Sequence, residues 1–250
     1  MTRNVLGIDV GGSAVKAALV DVASGRIVGD VASVPTPRPS VPSALLDVFA
    51  DLDARLPTRG PLGVALPCVV QHGVTRTAAN IDKAWIDFDC ASGLRGRFGR
   101  PSAVLNDADA AGIAEMRWGA GRGTRGVAIV LTFGTGIGSA IFNNGALLPN
   151  SEFGHLEMEG RDAEHWASAR VRTAESLDWP AWAERVNRYL ARMHALFWPD
   201  VFILGGAVSE NFDRFAPLLR SPAELRAAQF AGHAGLVGAA MAAAREEDIA

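Results

Sequence analysis

Apolar positions along this chain alternate or run together in short stretches near its start, and helical spacing is threaded between them. Residues 5–10, 14–21 and 27–35 read as three successive strands joined by short turns, one of them Ala23-Ser24-Gly25-Arg26. Three prolines mark 36–42 as a loop, after which Leu45, Val48, Phe49, Leu52 and Leu56 fall at helical intervals over 43–56. Short buried strands follow at 62–66 and 103–105, the second ending at Asn106-Asp107 ahead of an Ala-rich helix over 108–118. In the second half, strands at 127–131 and 140–142 flank a Gly-rich segment, and 149–161 is a polar loop. Helices are predicted over 163–174, 179–197 and 222–230, with a buried strand at 201–204 ending in Gly205-Gly206. An Ala-rich helix over 235–246 closes the pattern. Such interleaving predicts an α/β fold. Two domains are expected, 1–106 and 107–235, with the C-terminal helix 236–250 packing back on the first.

Composition narrows the class. The 250 residues are 49% hydrophobic and 20% charged, ordinary for a soluble globular protein. No apolar run approaches the ~20 residues that span a bilayer, and the opening MTRNVLGIDVGG lacks the apolar centre of a signal peptide. Cys68 and Cys90 are too few for a disulfide framework or a cysteine-based zinc site. A cytoplasmic enzyme with no membrane partner is expected. A net charge of −3 argues against a general nucleic-acid binder. Charge is nonetheless uneven: residues 91–126 carry six arginines, Arg122 and Arg125 among them, against three acids.

Candidate chemistry centres on two Gly-rich turns. One is Asp9-Val10-Gly11-Gly12-Ser13, followed closely by Lys16; the other is Thr132-Phe133-Gly134-Thr135-Gly136-Ile137-Gly138-Ser139. Glycines let backbone N–H groups approach an anion, and a Ser or Thr adds a hydroxyl donor. Neither lysine follows a glycine, which excludes a Walker A loop, and the glycine spacing with a strand following excludes a Rossmann fingerprint. Two copies, with Gly205-Gly206 after a third strand, point to a phosphate grip built on hairpins in two related half-domains; either turn alone reads equally well as a plain hairpin. Asp9 suits a divalent cation beside phosphates or an Asx-type turn. Asp107 suits a general base or a helix cap, and Asp109 a first-turn acid. Glu152 and His155, on one loop, suit hydrogen bonds to vicinal hydroxyls. His165 reads as an exposed helix residue, and Trp166, Trp179, Trp182 and Trp198 as core or dimer contacts.

Six segments in order, GIDVGGSAVKAALVD, TAANID with Trp85, NDADAAG, LTFGTGIGSA, PNSEFGHLE and ILGGAVS, resemble the ROK family of sugar kinases, most closely its polyphosphate-using branch. The resemblance implies an actin-like ATPase (ribonuclease H-like) fold of two domains about a central cleft. It also implies transfer of a phosphoryl group from polyphosphate or ATP to the 6-hydroxyl of glucose, with Mg²⁺, in a homodimer. By the same resemblance Asp107 is the base, and Asn80, Asn106, Glu152 and His155 bind sugar. Glu164, which matches the glutamate that follows the family's zinc motif, is expected among the substrate-binding residues as well. Gly11, Gly12, Ser13 and Lys16 form one phosphate motif, Thr132, Gly134, Thr135 and Gly136 a second, and Gly205 and Gly206 the nucleotide-side motif. The zinc motif itself is missing, so no zinc is expected. Ala207 and Gly232-His233 depart from the family pattern on the nucleotide side. Arg122 and Arg125, just ahead of the second turn, are expected to form a polyphosphate track. Strict ATP dependence, on glucose, mannose or fructose, is the alternative; a non-catalytic sugar sensor fits poorly with an intact Asp107.

Overall fold

The computed structural model describes residues 4–244. Its chain divides into two units, one formed by the residues up to Ala114 together with those from His233 onward, the other by Glu115–Gly232.

In the first unit the strands are β1 (Asn4–Val10), β2 (Ala14–Asp21), β3 (Arg26–Pro35), β4 (Leu62–Leu66), β5 (Val70–Gln71), β6 (Val74–Thr75) and β7 (Ser102–Asn106). Its helices are α1 (Pro42–Arg55), α2 (Cys90–Phe98), the first turns of α3 (Asp107–Trp118), and α8 (Ala234–Ala243). Five strands form one sheet in the order β3-β2-β1-β4-β7, with β1–β2–β3 antiparallel and β1–β4–β7 parallel. Alternation along β1 sends Leu6, Ile8 and Val10 into a core with Leu45, Phe49 and Leu52 of α1. The opposite face of β1 meets α8, where side chains are almost absent. A Cβ on Gly7 would overlap the Leu236 carbonyl, one on Gly63 the Ala239 carbonyl, and one on Gly238 the Ala110 carbonyl. Backbone therefore rests directly on backbone along α8. Of the helix expected over 236–250, residues 245–250 lie outside the described residues.

The second unit repeats the plan. Its strands are β8 (Val127–Phe133), β9 (Ile137–Asn143), β10 (Ala146–Leu148), β11 (Glu157–Met158), β12 (Arg161–Asp162), β13 (Val201–Gly206) and β14 (Glu224–Ala227). Helices α4 (Glu164–Ala167), α5 (Ala169–Ala174), α6 (Trp179–Phe197) and α7 (Phe212–Phe215) complete it. The sheet order is β10-β9-β8-β13-β14, again three antiparallel strands extended by two parallel ones. Trp182, Val186, Tyr189, Leu190 and Met193 of α6 pack on Ile129, Leu131, Phe133, Phe202 and Leu204 of that sheet. Asp178 caps α6 by accepting from Ala181 N at 2.8 Å.

Two sequence expectations are corrected. The helix predicted over 222–230 is instead β14, whose residues pair with Val201–Leu204 of β13. Its Ala, Glu, Leu and Arg favour a helix, but an open sheet edge offering backbone partners overrides that weak local preference. The helix predicted over 163–174 breaks at Ser168, whose extended backbone (ψ 164°) starts a new turn with Oγ accepting from Val171 N. Of the tryptophans read as core or dimer contacts, Trp198 is 76% exposed at the end of α6 and so is not a core residue. Trp166 and Trp182 are buried, as read.

Candidate active site

The first Gly turn joins β1 to β2. Gly11 N donates to Ala14 O at 3.0 Å, and Thr36 ties the turn from outside, donating from Oγ1 to Gly11 O at 2.6 Å and from N to Ser13 O at 3.1 Å. Gly11, Gly12 and Ser13 are exposed, and a Cβ on Gly12 would meet nothing within 4 Å. Nothing in the surrounding fold requires glycine at position 12. Just behind the turn, Asp9 pairs in register with Lys16 of β2. The backbone at Gly235, in the first turn of α8, sits so close that a Cβ there would be 2.9 Å from the Asp9 carboxylate. Burial pushes the Asp9 carboxyl up from 3.8 to about 6, and Lys16 only partly offsets this.

The second turn is packed from beneath as well as hydrogen-bonded. Gly134 N donates to Gly136 O at 3.0 Å, and Gly134 O accepts from Arg170 N at 3.1 Å. Glu164 lies beneath it: Oε2 accepts from Ile137 N at 3.4 Å, and a Cβ on Gly136 would overlap that oxygen. Thr135 is exposed. Parallel pairing sets Gly205 beside Thr132 and Gly206 beside Phe133, so the second and nucleotide-side motifs adjoin at one end of the second sheet. Gly206 has φ +83°, and a Cβ there would lie 2.6 Å from Phe133 N and O. Only glycine fits.

Asn106 and Asp107 stand where β7 runs straight into α3, at the carboxyl end of a parallel strand, where open α/β sheets place ligands. The capping role falls to Asn106 rather than Asp107. The Asn106 amide is buried, its Oδ1 accepts from Ala108 N (2.8 Å) and Asp109 N (3.0 Å), and its Nδ2 donates to Cys68 O (3.2 Å). Asp107 Oδ1 accepts from Ala108 N at 2.8 Å, within its own turn. Asn80 is exposed on the loop between β6 and α2 of the same unit.

Glu152, His155 and Glu164 gather in the second unit around a residue that sequence reading missed. His155 Nδ1 is 2.8 Å from Asp162 Oδ2, and its Nε2 is 3.9 Å from Glu152 Oε2. The Asp162 hydrogen bond is the largest influence raising the His155 pKa, helped by Glu164 and Glu152. Burial raises the Glu152 carboxyl, His155 lowers it, and Glu164 raises it again. His165 is largely exposed, as read, with Nε2 3.5 Å from Glu164 Oε1. Among the described residues no group of three or more His, Cys, Asp and Glu side chains gathers as a metal site.

Arg122 and Arg125 are exposed on the loop between α3 and β8, and among the described residues neither forms an ion pair. The loop backbone is well anchored. Ala120 N donates to buried Glu115 Oε2 (3.0 Å), and Arg226 Nη1 donates to Ala120 O (2.8 Å) and Thr124 Oγ1 (3.1 Å). Gly126 N donates to Asn144 Oδ1 at 2.9 Å. Among the described residues no helix is long and apolar enough to cross a membrane.

Two related sheets with glycine turns after their central strands define a phosphate-handling α/β protein. The chain belongs to the ROK family, whose model matches residues 5–167. It is 46% identical over 241 residues to a polyphosphate glucokinase of Mycobacterium tuberculosis (strain CDC 1551 / Oshkosh), covering 96% of this chain and 91% of that one. The inorganic polyphosphate/ATP-glucomannokinase of Arthrobacter sp. strain KM superposes with a TM-score of 0.89 at 44% identity, covering 95% of this chain and 97% of the other. A ROK family glucokinase from Streptomyces griseus, solved with glucose and AMPPNP, gives a TM-score of 0.81 at 26% identity over 95% and 98%. The fold is that of the actin-like ATPases.

Proposed function

We propose that this chain is a phosphotransferase that moves the terminal phosphoryl group of polyphosphate or ATP to the 6-hydroxyl of glucose. The observation that carries the reading is 46% identity to a polyphosphate glucokinase through 96% of the chain. Asp107 acts as the general base, taking the hydroxyl proton as the sugar oxygen attacks; because Asn106 supplies the helix cap, the Asp107 side chain is not needed for that purpose. Asn80, Asn106, Glu152 and His155 bind sugar hydroxyls, with Glu164 beneath the second turn. Backbone N–H groups of Gly11, Gly12, Gly134 and Gly136, hydroxyls of Ser13, Thr132 and Thr135, and Lys16 orient the donor phosphates, with Gly205 and Gly206 on the nucleotide side.

Mg²⁺ is the cation we propose. The site fits it: Asp9 offers a hard carboxylate oxygen whose burial is only partly offset by Lys16, and Mg²⁺ commonly binds through one or two carboxylates plus substrate phosphates. When bound, it neutralises charge on the transferring phosphoryl group. Arg122 and Arg125 extend the donor site along a polyanion. The enzyme works in the cytoplasm as a homodimer, and exposed Trp198 is a candidate for the dimer surface.

Glucose phosphorylation measured side by side with ATP and with long-chain polyphosphate tests the reading. Turnover with both, or with polyphosphate alone, is expected. Turnover with ATP alone leaves an ATP-dependent glucokinase, and none with either donor overturns the proposal. Mannose belongs in the same assay, because the Arthrobacter relative is a glucomannokinase.

A further inference from the structure

His155 and Asp162 are brought together by the small hairpin between them. Across β11 and β12 Glu157 pairs with Asp162 and Met158 with Arg161, while the two turn residues, Glu159 and Gly160, both have positive φ (55° and 73°). That is the turn geometry suited to a two-residue hairpin. Two contacts fix the hairpin on the second unit: Met158 is buried in the core, and Glu159 is ion-paired with Arg188 of α6. Ala163 N, donating to Leu156 O at 2.8 Å, closes its open end. Asp162 is thereby delivered to the Nδ1 side of His155, at 2.8 Å, and Nε2 is left on the side of Glu152.

A stabilising role alone does not account for this pair. The His155 and Asp162 side chains are 49% and 41% exposed, and ion pairs in that setting typically contribute about 0–1 kcal/mol. What the contact does impose is a choice between nitrogens. A partner at one ring nitrogen of histidine fixes the tautomer and the ring plane, and so decides what the other nitrogen can do.

We infer that Asp162 is a positioning residue for sugar binding: it accepts the Nδ1 proton of His155 and so presents Nε2 to a sugar hydroxyl. This rests on the proposal above that His155 contacts the sugar. Three carboxylates face the imidazole from three elements, Asp162 from β12, Glu152 from the loop after β10 and Glu164 from α4. Each favours the protonated ring. With Nδ1 held by Asp162, Nε2 is the ring nitrogen left for a ligand, 3.9 Å from Glu152 Oε2. A sugar hydroxyl, which both donates and accepts, can meet that nitrogen while its neighbour meets the Glu152 carboxyl.

The test compares Asp162→Asn, Asp162→Glu, His155→Gln and the Asp162→Asn/His155→Gln pair. Glucose and donor KM, kcat, thermal midpoint and the ¹⁵N NMR tautomer and titration of His155 are measured for each. Loss of one charge-assisted hydrogen bond predicts that Asp162→Asn raises glucose KM about tenfold, with kcat and donor KM little changed. Asp162→Glu is expected to recover most of the loss and to show that the carboxylate, not the fold, is responsible. His155 in Asp162→Asn is expected to lose its fixed tautomer and to titrate lower, and the double variant to bind glucose no worse than His155→Gln alone. An unchanged glucose KM in Asp162→Asn, or additive losses in the double variant, overturns the inference. An unchanged glucose KM in His155→Gln instead removes His155 from the sugar site, and the positioning role falls with it. The tautomer measurement then still reports whether the hydrogen bond exists.

Discussion

In both sheets a three-stranded antiparallel meander is extended by two parallel strands in the same order, and in both a Gly-rich turn follows the central strand. The turns are built differently. Around Gly12 there is open space, and immediately behind the turn lie an acid and a base, Asp9 and Lys16, with Asp107 elsewhere on the same unit. Gly134 is equally open, but around Gly136 there is packing, with Glu164 against it and Gly206 pressed against Phe133 alongside. The same residue type thus answers to two demands: open space at Gly12, and close approach of a carboxylate at Gly136 and of backbone at Gly206. If the comparison holds, substitutions in the first unit should alter chemistry and those in the second should alter binding or stability.

The largest expected effect is that of Asp107→Asn. Removing a general base typically lowers rate ~10²–10⁴-fold, so kcat should fall by that much while glucose still binds, as read by calorimetry. A kcat near wild type would move the base elsewhere and break the chemical half of the comparison.

Next come the two glycines. Gly206→Ala forces a side chain into the left-handed region and into the Phe133 backbone, and strained backbone of this kind costs about 1–3 kcal/mol. Urea unfolding should show that loss. Gly12→Ala should leave the unfolding midpoint unchanged and raise the donor KM instead. Equal midpoints for the two variants would erase the distinction.

Asp9 gives a prediction with a pH signature. Its folded pKa is about 6 against an ordinary 3.8, so between those values the folded protein keeps a proton that the unfolded chain has released. Native stability is therefore lowered above pH 6 and recovered as pH falls toward 4. Asp9→Asn should stabilise the metal-free protein at pH 8 by up to roughly 3 kcal/mol, less at pH 4, while abolishing turnover. Stabilisation that is the same at both pH values would mean that the acid is not the origin.

The smallest effect should come from Arg122→Ala with Arg125→Ala. Exposed charges are screened within ~8–10 Å near physiological salt, so a few-fold rise in the KM for polyphosphate is expected, larger in low salt, with the ATP KM less affected. Equal changes for both donors would make the loop an ordinary solvated surface.

Much of this fold was legible because burial on one or both faces writes itself into apolar spacing. The strand 14–21 and the helix 179–197 coincide with β2 and α6. What escaped was decided by partners distant in sequence. Strand β14 exists because β13 offers it an edge. Helix α2 has Gly93 and Gly96 inside it and was missed, although Asp89 caps it by accepting from Ser92 N and Gly99 closes it in the left-handed conformation. Around the candidate site, Glu152 and His155 announced themselves by sharing one loop. Asp162 did not, because its approach to His155 depends on a tight turn whose only sequence trace is Glu159-Gly160.

The contact between α8 and the first sheet has a consequence for synthesis. Gly7 and Gly63, made before the second unit, are shaped to receive the carbonyls of Leu236 and Ala239, made after it. A nascent chain that has left the ribosome as far as Gly232 has every strand of its first sheet but not the helix that covers one face. That face must wait, apolar and uncovered, while the whole second unit is translated. Contacts of such long sequence separation are slow to form, so the order of birth and the order of folding run in opposite directions here: β1 is made before the second unit and finished after it.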